Sequence, residues 1–339
     1  MTPRATDRSR DDREEREDRA AGVLLGAACG DALGVPYEFA ARLPEDRVPE
    51  MVGGGLGPYA PGEYSDDTQM AVCIAETLRD HGEPCSDLAL EQTARAFLRW
   101  RREGASDIGA QTAQVLGGTE RALAAEGAGA GAAETMAGLS ARMFGSGQRC
   151  AGNGSLMRTA PLALAHLDDP RGLAESARLY SLLTHGDPLA AQACVLWCEA
   201  VRQAVVHGTY EGLHAGLDLL ESGARDTWAG HLAEAENAPP GSFAPNGFVV
   251  RALQAAWSAI VHTPVEAGSP DRYTAPVQAA VRAGDDTDTV AAIAGALVGA
   301  RWGRSSVPQG YLDAVHGWPG YRADGLAGLA GEILRRHGG

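Results

Sequence analysis

No lysine occurs anywhere in the 339 residues, so all 29 basic side chains are arginines. That absence excludes a phosphate-binding loop built on a Walker lysine, and any mechanism that runs through a lysine Schiff base. Basic charge is scarce overall: 44 acidic side chains leave a formal net charge of −15. This argues against a nucleic-acid partner, because binding to phosphate backbones needs clustered positive charge. The six cysteines, Cys29, Cys73, Cys85, Cys150, Cys194 and Cys198, show no C-x-x-C pairing and sit mostly in apolar helical patterns. They are expected to be reduced, buried thiols. Aromatic residues are few, 6% against 45% hydrophobic, so the core must be built from Ala, Leu, Val and Gly, a composition that suits closely spaced helices. The longest apolar runs, 20–30 and 290–300, are short for a bilayer, and no hydrophobic signal segment is visible. A soluble, cytoplasmic protein with no membrane partner is expected.

Residues 1–19 mix seven acidic with six basic side chains and almost nothing apolar. Such a segment cannot repay its ordering entropy, so a disordered charged tail is expected there, ahead of one large domain over 20–339. From residue 20 the chain reads as helices punctuated by Gly and Pro. Helical patterns run over 69–79, 87–102, 110–125, 173–183, 189–206, 249–261 and 326–336, with Asp187-Pro188 as a start signal. Loops are expected at 126–134, 224–247 and 263–276. With no clear alternating strand and no fixed repeat period, the fold class is all-α.

Two stripes of glycine stand out. Gly22, Gly26, Gly30 and Gly34 fall at i, i+4 spacing on one helix face, and Gly295, Gly299 and Gly303 repeat the spacing near the other end of the chain. Each mid-helix glycine costs on the order of 1 kcal/mol relative to alanine, so a stripe of them needs a packing reason. The two helices are expected to approach closely in the core.

That packing matters because the second stripe lies on the helix that follows one of two acidic clusters, and the approach is expected to bring the two together: Ser65-Asp66-Asp67-Thr68, and Asp285-Asp286-Thr287-Asp288-Thr289. Carboxylates this dense must be solvated, paired with cations or gathered around metal ions. The closest arginines in sequence are Arg79 and Arg282. Oxygen-only ligands favour Mg²⁺, Mn²⁺ or Ca²⁺ over zinc. Ser, Asp and Thr are also the preferred helix N-caps, and a helix start welcomes negative charge. Capping needs one side chain, however, and these clusters offer several.

Five segments together resemble the ordered motifs of the ADP-ribosylglycohydrolase family. They are Gly30 to Phe39 (GDALGVPYEF), Ser65 to Thr68 (SDDT), Gly152 to Arg158 (GNGSLMR), Thr184-His185, and Gly284 to Thr289 (GDDTDT), spanning about residues 20–303. The resemblance implies a compact, single-domain, all-α orthogonal bundle holding two Mg²⁺ or Mn²⁺ ions. It further implies hydrolysis of the glycosidic bond between ADP-ribose and a modified acceptor, either a protein or a small ADP-ribose derivative. Carried over by position, Ser65, Asp66, Asp67, Asp286, Asp288 and Thr289 match metal ligands, and Glu38 matches an acidic residue that closes over the metals or substrate. Ser65 stands where many members have Thr, which keeps the hydroxyl. Asp285 stands where Gly is common.

The chemistry suits these residue types. Cleavage at the anomeric carbon builds positive charge on the ribose. Two divalent ions can clamp ribose hydroxyls and orient a water, whose proton Asp66 or Asp67 can accept. Gly152, Asn153, Gly154 and Ser155 offer backbone amides to a pyrophosphate or form an ordinary Asn-Gly turn. His185 either reaches a phosphate or ribose or is structural. Asp107, in a segment resembling the family branch that acts on arginine-linked ADP-ribose, either handles that acceptor or caps the helix near residue 110. Phe248 either stacks on adenine or packs in the core. Protein arginine is the expected acceptor. Serine or another O-linked acceptor, a two-metal phosphatase or pyrophosphatase, and a non-catalytic crystallin-like member are the alternatives.

Overall fold

The computed structural model of the chain describes residues 5–126 and 131–338, with side chains from residue 12 onward and none at 126. The long helices are α1 (Ala5–Gly34), α2 (Asp66–Asp80), α3 (Asp87–Glu103), α4 (Ala110–Glu126), α5 (Ala132–Gly145), α6 (Pro170–Leu182) and α7 (Pro188–His207). A short α8 (Gly212–Ala215) precedes α9 (Ser222–Asn237), α10 (Val249–Val261), α11 (Thr274–Arg282), α12 (Thr287–Trp302), α13 (Gln309–Ala314) and α14 (Ala323–His337). Two-residue strands β1 (His316–Gly317) and β2 (Tyr321–Arg322) form a small antiparallel pair. The all-α expectation holds.

Local chemistry explains where helices start and stop. Asp187 caps α7 by accepting the Leu189 amide at 2.9 Å, and Pro188 follows at the first helical position. Gly208 ends the same helix in the left-handed conformation. Asp169-Pro170 repeats the start signal for α6.

Three expectations need correction. The segment 1–19 is not a tail separate from the domain: residues 1–4 lie outside the described residues, but α1 is already helical from Ala5. Ion pairs Arg13–Glu17 and Arg19–Glu15 support its first turns, and Asp18 accepts from the backbone and hydroxyl of Ser305. The loop expected over 224–247 contains most of α9, whose Trp228, Leu232 and Ala235 are buried at helical spacing. Gly223, Gly230 and the charged residues between them obscured that pattern. In the loop expected over 126–134, residues 127–130 lie outside the described residues and α5 starts at Ala132. Of the six cysteines, all free, only Cys85 is not buried.

Two helical stretches, Asp12–Tyr37 and Pro188–His207, are long and apolar enough to cross a membrane, which the apolar runs in the sequence understated. Both serve as core helices here, with 83% and 72% of their apolar windows buried inside the fold.

Helix α12 is buried at every position from Thr287 to Ala300, so it is the central rod of the bundle. Against it lies α1, backbone to backbone. A side chain added at Gly22, Gly26 or Gly30 would collide with the carbonyl oxygen of Gly299, Gly295 or Ala291 respectively. Gly34 faces the backbone of Asp288 itself. Gly303 departs from the expected stripe: it closes α12 at φ 78° and faces Asp18 rather than the α1 backbone. The Tyr273 hydroxyl secures the seam by donating to the Gly26 carbonyl at 2.7 Å. Replacing Gly295 by leucine is expected to destabilise the protein by more than about 3 kcal/mol, because no rotamer avoids the facing carbonyl. Thermal unfolding followed by circular dichroism checks this, and a wild-type midpoint would contradict the packing.

Candidate active site

The seam ends where α1 finishes and α2 and α12 begin, which brings the two acidic clusters together. The capping account of those clusters fails here. Ser65 and Asp286 occupy the N-cap positions of α2 and α12, yet neither side chain makes a capping hydrogen bond. Asp31, near the end of α1, does that work for α2 from a distance. Its Oδ1 accepts from the Ser65 amide and hydroxyl, each at 2.8 Å, and its Oδ2 accepts from the Thr68 amide at 3.0 Å and hydroxyl at 2.6 Å. Sequence reasoning quoted Asp31 within a motif but gave it no role. A carboxylate inside a buried glycine-striped helix was the available signal.

Relieved of capping, the remaining acids face one another. Carboxylate oxygens of Asp31, Asp67 and Asp288 lie within 4.8 Å of one another, and so do those of Glu38, Asp286 and Asp288. Asp288 therefore belongs to both groups. The Ser65 hydroxyl has a single proton but lies 2.8 Å from Asp31, 3.0 Å from Asp67 and 3.4 Å from Asp288. Asp67 Oδ1 is buried without a hydrogen-bond partner. None of the ion pairs among the described residues involves these acids. Burial, followed by mutual repulsion, holds Asp66, Asp67 and Asp288 well above the usual carboxylate range. Burial pushes Asp31 up to about 6 despite its four hydrogen bonds. Burial together with Asp286, Asp107, Asp66 and Asp31 pushes Glu38 up to about 8. An unpartnered buried oxygen, a proton-poor hydroxyl and an all-oxygen donor set fit hard divalent cations.

The acids form one wall of a cavity of about 360 Å³. Glu38, Asp66, Asp286, Asp288 and Thr289 line it, and Asp107 joins them from the α3–α4 loop. The lining also carries the start of α4 (Gly109 to Thr112), Gly152, Gly154 and His185. Exposed Phe39 and Leu56 complete the lining. Asp67 and Ser65 are not part of the lining.

The remaining expected residues fall in distinct places. Asn153 does not turn its side chain to a ligand: Nδ2 donates to Asp286 Oδ2 at 2.7 Å and holds that acid in position. Its backbone amide is also engaged, by the Gly247 carbonyl at 3.1 Å, so it is not free for a phosphate. Ser155 is a correction: its hydroxyl is buried against Ser181 at 2.9 Å and Cys194 at 3.5 Å, because residues 153–158 coil into a 3₁₀ turn that rotates it inward. Phe248 is 43% exposed, which overturns the core-packing alternative, and its backbone pairs with Gly152 at the cavity edge. Asp107 does not cap α4. It accepts only the next amide, Ile108, at 2.7 Å, and leaves its other oxygen free. Asp285 has φ 58°, a conformation that favours glycine, and its carbonyl accepts the Phe39 amide at 2.7 Å. Its contribution is thus a backbone tie between the two loops carrying Glu38 and Asp286. Asn246, which in the sequence only opens the family-like segment around Phe248, accepts the Asp286 amide at 3.0 Å and donates to the Gly284 carbonyl at 2.9 Å.

Comparison with known proteins agrees with this geometry. A family model described as ADP-ribosylglycohydrolase matches residues 12–338. The chain is 31% identical over 305 residues to ADP-ribosylarginine hydrolase Tri1 of Pseudomonas putida, covering 89% of this chain and 75% of that protein. It is 26% identical over 302 residues to the ADP-ribosyl-dinitrogen reductase glycohydrolase of Rhodospirillum rubrum, covering 88% and 90%. A solved structure described as an ADP-ribosylglycohydrolase-related protein complex superposes with a TM-score of 0.70 at 32% identity, over 96% of this chain and 99% of that one.

Proposed function

The chain belongs to the ADP-ribosylglycohydrolase family, and on that basis we propose that it releases ADP-ribose from a modified acceptor, preferentially the arginine side chain of a protein, with two Mg²⁺ or Mn²⁺ ions as cofactors. The observation that carries this reading is a shared acid, Asp288, joining two groups of carboxylates at one wall of a cavity whose lining also carries N–H donors. Asp31, Asp67 and Asp288 with the Ser65 hydroxyl form one candidate ligand set, and Glu38, Asp286 and Asp288 the other. Asp66 and Thr289 face the same cavity. When bound, such ions offset the repulsion among the acids and orient ribose hydroxyls.

The chain's own groups divide the remaining work. Asp66 lines the cavity and its carboxylate is made more basic by burial and by Asp31, so it is placed to take the proton of an attacking water. Asp67, which does not line the cavity, positions rather than reacts. The acidic wall favours the positive charge that develops on ribose as the glycosidic bond breaks. The phosphates belong beside Gly152 and Gly154, next to the His185 imidazole and the side chains of Gln111 and Thr112, with the start of α4 in the same lining. Exposed Phe248 offers an aromatic face for adenine. Asp107 and Glu38 suit a guanidinium, which carboxylates bind through charge-assisted hydrogen bonds. Both relatives described above act, by name, on ADP-ribosylarginine or ADP-ribosylated dinitrogen reductase.

Incubation of the protein and Mg²⁺ with arginine-, serine- and nucleic-acid-linked ADP-ribose, each separately, tests the reading by identifying what is released. Free ADP-ribose from the arginine-linked substrate alone is the expected result. Inorganic phosphate or AMP would instead indicate phosphoryl chemistry, and no product at all a binding protein.

A further inference from the structure

Arg158 is fully buried, with no carboxylate in hydrogen-bond contact among the described residues. Its Nη2 donates to the Tyr180 carbonyl at 3.3 Å and the Thr184 hydroxyl at 2.7 Å, its Nη1 lies 3.7 Å from Met70 Sδ, and its guanidinium stacks 4.5 Å from the centre of the Phe97 ring. Every one of these partners is neutral. A buried cation with no carboxylate in contact is costly, and burial pushes Arg158 down to about 10, partly offset by the Asp66 charge. The carboxylate that acts on this charge is Asp66, which lines the cavity, so the guanidinium stands close behind the site.

The route by which that charge reaches the cavity is visible in the hydrogen bonds. Thr184 Oγ1, fully buried, lies 2.7 Å from His185 Nδ1 as well as 2.7 Å from Arg158 Nη2. A guanidinium only donates, so Thr184 Oγ1 accepts from Arg158. Its own proton then has one acceptor within reach, His185 Nδ1. Were Nδ1 protonated instead, the threonine hydroxyl proton would be buried without a partner. The geometry points to Arg158 and Thr184 as positioning residues that fix His185 as its Nε2–H tautomer, so that a buried positive charge stands behind one neutral N–H aimed at a phosphate oxygen in the cavity. The Nε2 edge faces the glycine turn: a Cβ added at Gly152 or Gly154 would lie 3.4 or 3.3 Å from it. Thr184 is held from its other side too, since its carbonyl accepts Gln111 Nε2 at 3.0 Å. Burial and the Arg158 charge both disfavour imidazolium, so the ring acts as a fixed donor and not as an acid or base.

The tautomer part of this inference is independent of the proposed reaction, and only the choice of ligand rests on it. Nitrogen-15 NMR of histidine-labelled, Mg²⁺-supplied protein, with His185 assigned through His185→Asn, should show Nε2 protonated and Nδ1 bare. Thr184→Val should lose that pattern and bind both ADP-ribose and inorganic pyrophosphate about ten- to a hundredfold more weakly, raising KM more than it lowers kcat. Thr184→Ser, which keeps the hydroxyl, should restore both. A wild-type ring protonated at Nδ1, or a Thr184→Val protein with unchanged tautomer and affinity, would overturn the relay. Pyrophosphate binding that depends on Thr184 in a protein that never cleaves ADP-ribose conjugates would uphold the relay and reject the proposed reaction instead.

Discussion

Asp288→Asn protein is expected to release ADP-ribose about 10²- to 10⁴-fold more slowly than the wild type, the range lost with a positioned charged group, and to be no less stable when metal-free. The two halves of that expectation have the same cause. Asp288 belongs to both carboxylate groups, so its charge is needed for both candidate ion sites. The same charge is repelled by Asp67, Asp286 and Glu38. An asparagine keeps an oxygen for the Thr289 amide, 2.9 Å from Oδ1 in the wild type, and offers its NH₂ to the neighbouring acids. Loss of activity with retained or raised thermal midpoint separates a site residue from a structural one. Product release measured by chromatography, beside thermal unfolding with and without Mg²⁺, checks both. Asp66→Asn should behave likewise in turnover, and full activity in the Asp66→Asn/Asp288→Asn double variant would end the assignment.

Metal-free protein should lose stability as the pH rises, which is the reverse of ordinary acid denaturation. The sign follows from proton linkage: a carboxyl whose folded pKa is raised binds protons more tightly in the native state. Its contribution is complete below the unfolded value, 3.8 for Asp31 and 4.5 for Glu38, and is lost as pH climbs through about 6 for Asp31 and about 8 for Glu38. Asp66, Asp67 and Asp288 act in the same direction. Divalent ions compete with those protons, so Mg²⁺ or Mn²⁺ should flatten the slope and stabilise more at pH 8 than at pH 5. At a hundredfold excess over Kd the gain is about 2.7 kcal/mol, which amounts to several degrees in Tm. Calorimetry across that range with a chelator and then with each metal provides the measurement. A midpoint indifferent to metal at every pH would remove the ion sites.

The parts of the structure that were legible are those set by spacing along the chain. Gly22, Gly26 and Gly30 could be read as one face because helical geometry alone puts them there, and Asp187-Pro188 marks a helix start because its reach is local. The acidic clusters were legible for the same reason. Asp31 was not, because its partners are Ser65 and Thr68, more than thirty positions away along the chain. Ser155 was placed in the site by its neighbours Gly152 and Gly154, but the handedness of a 3₁₀ turn decides which way each side chain points, and that turn is set by tertiary packing. Helix α9 escaped notice because glycine and charge weaken its pattern while only Trp228, Leu232 and Ala235 hold it down. Asn246 and Thr184 act through hydrogen bonds to distant or buried partners, and no local periodicity reports such bonds.

The contact between α1 and α12 has one more implication. Since main chain meets main chain there, the separation between Asp31 and Asp288 depends on peptide geometry and on no rotamer. The Asp31–Asp288 part of the acidic site is thereby set independently of Ile108 and Gln111, which line the cavity from the α3–α4 loop and α4. Substitutions at those two positions are expected to change what the cavity admits while Asp31 and Asp288 stay in register, so the shape of the entrance can vary on an unchanged frame.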